Sequence, residues 1–85
     1  MAYRPGVDTI SRKRHQVLIG IIIDERKRAG LRQVELAKKL KKTQTWVSRL
    51  EQGGRRLDVV EFMRLAEVIG FDPVATIRQL SAIAH

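Results

Sequence analysis

From about Ser11 onward the apolar positions fall into a helical rhythm. Ile10, Val17, Leu18, Ile21 and Ile22, with Arg14 and Glu25 on the same spacing, recur at steps of three and four. Before that rhythm starts, Arg4-Pro5-Gly6 predicts an irregular arm over residues 1–10. Gly30 closes the first helix, and Lys27 and Arg28 in its last turn suit the negative end of a helix dipole. A second helix is predicted from Gln33 to about Leu40, burying Leu36, Ala37 and Leu40. Thr43 can cap a third, Gln44 to about Gln52, with Val47 and Leu50 inward, before Gly53-Gly54 breaks the chain. Asp58 and Glu61 have the spacing of a capping box, opening a fourth helix with Phe62, Leu65, Ala66 and Ile69 inward and Gly70 at its end. Asp72-Pro73 starts a fifth, about 73–84, because aspartate caps well and proline fits the first helical position. The run Val17–Ile23 is the only competing strand signal, and the helical rhythm on either side outweighs it. The expected fold is all-α: five short helices in a single domain over 11–85.

Length and charge sharpen this picture. With 85 residues the chain has room for one core and no more. It has no cysteine, which removes disulfides, thiolate metal sites and cysteine nucleophiles, and fits a reducing compartment. The apolar run of seven residues is far short of the about 20 that span a bilayer, and it leads into Asp24-Glu25-Arg26 with no small-residue cleavage site. A cytoplasmic protein is therefore expected, with neither a membrane span nor a secretory signal. The net charge of +8 points to an anionic partner, and its distribution says more than its sum. Residues 26–56 carry eleven basic side chains against Glu35 and Glu51, whereas residues 57–85 carry two basic against four acidic. The positive charge is a local footprint.

That footprint coincides with the two short helices 33–40 and 44–52, joined by only Lys41-Lys42-Thr43. So short a turn makes the helices cross steeply, and Ala37 is small enough to let their backbones approach. This is helix-turn-helix geometry, whose second helix fits a major groove about 12 Å wide.

Gln33-Val34-Glu35-Leu36-Ala37 followed by Thr43-Gln44-Thr45-Trp46-Val47-Ser48-Arg49-Leu50-Glu51-Gln52-Gly53 resembles the lambda-repressor-like, Cro/Xre-type helix-turn-helix family. The resemblance covers roughly residues 12–80 and implies a compact five-helix DNA-binding domain. It also implies roles. Gln44, Thr45 and Ser48 or Arg49 occupy positions that reach base edges, which suits glutamine pairing with adenine and arginine with guanine. Gln33 is expected to bond a phosphate and brace Gln44. Thr43, Gln52, the Gly53-Gly54 backbone, Arg55 and Arg56 are expected at phosphates. Arg26 and Glu51 match a pair that family members use as a salt bridge between the first and third helices.

Two positions depart from the family pattern. Arg32 stands where Ser or Thr usually caps the second helix, a loss worth about 1 kcal/mol. Lys41 stands where the turn usually opens with glycine, and a left-handed lysine costs roughly 1 kcal/mol. Trp46 has two readings, its indole N–H on a phosphate or its ring packed on a neighbouring helix. Lys38, Lys39, Lys41 and Lys42 read mainly as a solvated face contributing to the general field. His15 and His85 are isolated, so no metal and no cofactor is expected.

The expected function is a sequence-specific double-stranded DNA-binding transcriptional regulator, a repressor of bacterial or phage origin associated with the nucleoid. No enzyme can be assembled from Ser11, Ser48, Ser81, His15 and His85. Ile77, Leu80 and Ile83 at three-residue steps suggest half of a homodimer seam; the alternative is that the last helix folds back over the first, covering Ile19 and Ile23. A protein partner, as in an antitoxin built on the same domain, is the competing functional reading, invited by that apolar last helix.

Overall fold

The computed structural model describes the backbone of residues 5–84 and the side chains from Thr9 to Ala84. Five helices follow one another: α1 (Pro5–Arg28), α2 (Gln33–Leu40), α3 (Gln44–Glu51), α4 (Val59–Ile69) and α5 (Pro73–Ser81). No strand occurs among the described residues.

Helix α1 begins six residues before the point at which the apolar rhythm starts, so the expected irregular arm is helical from Pro5 on. Proline at a first helical position has no N–H to leave unpaired, and its fixed φ suits the helix. Residues 1–4 of that arm lie outside the described residues. The inward stripe of α1 also differs from expectation. Ile19 and Ile22 are the buried isoleucines, and Arg26 continues their line, while Val17, Leu18 and Ile21 are half-buried. A nearly unbroken apolar run carries little phase information, so the sequence alone does not settle which side faces in.

The core is one cluster. Ile19 and Ile22 from α1, Leu36 and Ala37 from α2, Val47 and Leu50 from α3, and Leu65 and Ile69 from α4 bury one another. Phe62 and Ala66 are buried as expected. The Phe62 and Phe71 rings sit beside this core in a tilted pair, 6.0 Å between centroids.

Local chemistry fixes the element ends. The Thr43 hydroxyl accepts from the Trp46 N–H (3.1 Å) at the start of α3. Asp58 accepts from the Glu61 N–H (2.7 Å) while Glu61 reaches back to the Asp58 N–H (3.0 Å), completing the capping box of α4. Asp72 accepts from the Val74 N–H (2.9 Å) ahead of α5. Lys41 is the sole non-glycine residue with positive φ among those described, at 57°. The Lys42 N–H bonds the Ala37 carbonyl (2.9 Å), so the turn closes α2 as a Schellman motif without glycine. Arg32 supplies no side-chain acceptor to α2, as its chemistry dictates; Glu35 compensates in part by accepting from the Arg32 N–H (2.9 Å) and Nε (3.1 Å).

Helix α5 stops at Ser81, short of the expected residue 84, so Ile83 lies beyond it. Where it ends, Arg14 of α1 donates from Nε to the Leu80 carbonyl (3.1 Å) and from Nη2 to the Ile83 carbonyl (3.0 Å). The guanidinium thus joins the Ile83 N–H on the Leu80 carbonyl and takes the Ile83 carbonyl beyond the helix end. Helix α5 is thus tied back along α1; Ile19 itself is buried with residues of α2, α3 and α4, and Ile23 packs half-buried against the same cluster. Leu80 and Ile83 are half-buried, and Ile77 is exposed.

Candidate nucleic-acid interface

Helix α3 is amphipathic in the strict sense. Val47 and Leu50 are fully buried, and the opposite face presents Gln44, Thr45, Arg49 and Gln52 to solvent. Among the described residues, no side-chain hydrogen bond or ion pair engages Gln44, Thr45 or Arg49. Ser48 is half-buried on the same side, its hydroxyl accepting from Gln52 Nε2 at 3.3 Å. Thr43 sits exposed at the end of this face; its oxygen is taken by the cap, which leaves the hydroxyl hydrogen to donate outward.

A buried polar network fixes α3 against α1 and α2. Arg26 donates to both Glu51 oxygens, from Nε at 2.6 Å and from Nη2 at 2.9 Å, and Nη1 donates to the Leu31 carbonyl at 2.8 Å. The two side chains are only 10% and 6% exposed, so this is the interhelical bridge that the resemblance implies. Gln33 joins the same carboxylate, donating from Nε2 to Glu51 at 3.0 Å. The expected brace from Gln33 to Gln44 is not formed: Glu51 offers a desolvated charged acceptor, and a charged acceptor outcompetes a solvated neutral amide.

Arg55 also departs from expectation. Its Nη2 donates to Glu61, the residue that caps α4, and its guanidinium lies 4.7 Å from the Trp46 ring centroid. Lys42 approaches the same ring at 5.5 Å. Trp46 is half-buried and packs against the core, so the packing alternative describes its ring. Arg55 is thus an internal tie between α3 and α4, whereas Arg56 is exposed. The Arg55–Glu61 tie spans a loop and follows no helical period, so no sequence signal marks it. Gln33–Glu51 and the Arg14 cap on α5 were equally out of reach of pattern reasoning.

The basic residues surround an open groove of about 550 Å³ beside α3, lined by Thr43, Thr45, Trp46, Arg49, Arg55 and Arg56 among others. Hydrogen bonding to the Arg32 backbone N–H holds the Glu35 carboxyl below the ordinary glutamate range. Glu25 pairs with Arg28 and raises the guanidinium further. Neither group lines the α3 groove, whose charged lining residues are Arg49, Arg55 and Arg56. No cluster among the described residues could hold a metal ion, and none of their helices is long and apolar enough to cross a membrane.

The sequence matches the helix-turn-helix domain family over residues 24–80. Among solved structures, it is similar to an XRE-family like protein from Pseudomonas syringae pv. tomato str. DC3000, at 39% identity and a TM-score of 0.87. That likeness covers 96% of this chain and 100% of the other. No curated protein matches the sequence. With the five-helix fold and the cationic face in agreement, the chain belongs to the Cro/Xre-type helix-turn-helix family of DNA-binding regulators.

Proposed function

We propose that this protein reads a specific double-stranded DNA sequence with α3 in the major groove and acts as a repressor by occluding a promoter. The observation that carries the reading is the exposed, unengaged row Gln44, Thr45 and Arg49 on a helix whose other side is locked into the core. Side chains held on a rigid helix and not committed to the fold are available for base edges. In this reading Gln44 pairs with adenine, Arg49 with guanine, and the Thr45 methyl touches a thymine methyl. Ser48 is a minor contributor because it is half-buried and bonded to Gln52. Thr43, Gln52 and Arg56 hold phosphates. Gln33 and Trp46, at the borders of this face, reach the backbone only with groups left over from their internal contacts, and Arg55 acts mainly through Trp46. Repression needs no machinery beyond bound bulk over a promoter.

Binding as a homodimer on a two-fold site is part of the same reading, since two-fold operators place half-sites about 34 Å apart. The test is selection of bound duplexes from a random pool at about physiological salt. A palindrome with half-site centres about 10 bp apart is expected. Binding that enriches nothing and merely fades as salt rises would overturn sequence-specific reading. Within the enriched site, Gln44→Ala is expected to relax preference at one position, a cost of about 1–3 kcal/mol there and little on random DNA.

A further inference from the structure

Beside Trp46, between the end of α2 and the start of α4, lies a smaller groove of about 210 Å³. Its walls are Leu40 of α2, Lys42 of the turn, Trp46 of α3, and Val60, Glu61 and Arg64 of α4. Leu40, the Trp46 ring and Val60 make its floor largely apolar. The apolar surface continues outward along α4, where Val59 and Val60 are 72% and 76% exposed and Met63 is 50% exposed. Val60 precedes Met63 by three positions and Arg64 by four, so the three stand on one side of the helix. Two exposed valines in a first turn bury little within the fold and have only modest helix propensity, so neither packing nor propensity accounts for them.

The rim of this groove is cationic. Lys42 is exposed and makes no hydrogen bond or ion pair among the described residues; its ammonium stands 5.5 Å from the Trp46 ring centroid. Arg64 pairs with Glu67 at 3.6 Å, but the two side chains are 56% and 64% exposed, and such a surface pair is worth little. Glu61 is the one carboxylate in the lining, and Arg55 and the Asp58 N–H already occupy it. The volume suits a single large side chain, whereas small-molecule sites occupy about 300–1,000 Å³. The matching surface is therefore a polypeptide that carries an apolar anchor flanked by free carboxylates. A second copy of this chain does not offer one. Among the described side chains, Glu25, Glu35, Glu51, Glu61 and Glu67 are paired with arginines, and Asp58 and Asp72 cap helices, which leaves Asp24 alone.

We propose that this groove docks an acidic amphipathic helix of another protein. One apolar side chain of that helix sits among Leu40, Trp46 and Val60, and its carboxylates meet Lys42 and Arg64. Helices that bind in grooves do so through apolar anchors at three- and four-residue steps, and Val59, Val60 and Met63 extend the groove along α4 to receive further anchors. The inference does not depend on the DNA-binding reading, because the groove holds none of Gln44, Thr45 or Arg49.

The test titrates the full chain, without DNA, with a synthetic helix about four turns long that has leucines along one face, glutamates elsewhere and no tryptophan. A second peptide of the same composition, with its leucines spread around the helix, serves as the comparison. Trp46, the only tryptophan, reports binding by its fluorescence, and amide NMR shifts locate the peptide. Saturable binding at micromolar concentration is expected for the first peptide alone, with shifted amides at the end of α2, at Trp46 and at the start of α4. Lys42→Glu and Val60→Asp lie at exposed positions, and each is expected to weaken binding about tenfold. Arg78→Glu, the same charge change on the exposed side of α5, is expected to leave it unchanged, and thermal unfolding checks that each variant is folded. Equal binding of both peptides would mean that charge alone is read, and would overturn the proposal. So would an absence of saturable binding, or binding that Arg49→Glu abolishes and the two groove variants leave intact. Self-association of the chain that Val60→Asp abolishes would make a second copy the occupant and overturn it as well.

Discussion

At the scale of single residues, the proposed interface depends on side chains that the fold itself already engages. Glu51 accepts from Arg26 twice and from Gln33 once in a largely buried site, and so ties the end of α3 to α1 and α2. Removing its charge strands the Arg26 guanidinium. Glu51→Gln is expected to cost about 3 kcal/mol, read as a lower urea midpoint at unchanged slope; a loss under about 1 kcal/mol would rank the pair with exposed ones. Arg55 and Arg56 separate in the same way. Because Glu61 neutralises Arg55 and Trp46 stacks on it, Arg55→Ala is expected to cost about 1 kcal/mol of stability and to shift the fluorescence of Trp46, the only tryptophan, with little change in salt dependence. Arg56→Ala is expected to do the reverse, lowering the salt slope by about 1 and leaving the melt alone. The sequence made the Arg26–Glu51 bridge legible through the motif around it. It made Arg55 look like a twin of Arg56, since adjacent identical residues differ only in what the fold places beside them.

At the scale of elements, the local rules that govern helix ends were the most legible. Thr43, Asp58 and Asp72 all cap as their chemistry requires, because a cap needs only neighbours in sequence. Helix α1 was the least legible, since its phase depends on which side the other helices occupy. Helix α2 carries two imperfect ends, and each is testable. Arg32→Ser adds the missing acceptor and is expected to stabilise the fold by about 1 kcal/mol. Lys41→Gly relieves the left-handed backbone and is expected to add up to about 1 kcal/mol, partly offset by the freedom glycine has in the unfolded chain. Additive gains in thermal unfolding would show the two ends to be independent. The existing partial cap predicts a pH effect. The Glu35 carboxyl is held below its ordinary range by the Arg32 N–H, so its contribution is complete above the unfolded-state value and disappears as pH falls through the folded one. The stability difference between the parent and Glu35→Gln is therefore expected to close under acid conditions, and a difference constant with pH would assign it to packing.

At the scale of the whole molecule, the question is how an 85-residue bundle would fill the two-fold site proposed above. Its own fold covers much of the seam suggested by Ile77, Leu80 and Ile83, because α1 half-buries the last two and Arg14 holds their carbonyls. What α5 leaves outward is Val74, 58% exposed, and Ile77, 50% exposed. Full burial of such a side chain contributes about 1.5–3 kcal/mol, and here only about half of each remains to be covered. Association in solution costs an estimated 4–15 kcal/mol in lost freedom of motion, so this surface alone does not hold a stable dimer. On DNA that cost is largely met already, because two copies on adjacent half-sites are oriented by the duplex and act at high effective concentration. The protein is therefore expected to be monomeric at micromolar concentration in sedimentation, yet to fill a palindrome cooperatively. Ile77→Asp is expected to abolish the cooperativity and to leave affinity for an isolated half-site unchanged. A stable dimer without DNA would place the seam elsewhere, with the exposed Val59, Val60 and Met63 of α4 the next surface to substitute. Cooperativity untouched by Ile77→Asp would mean that the duplex, and not α5, couples the two copies.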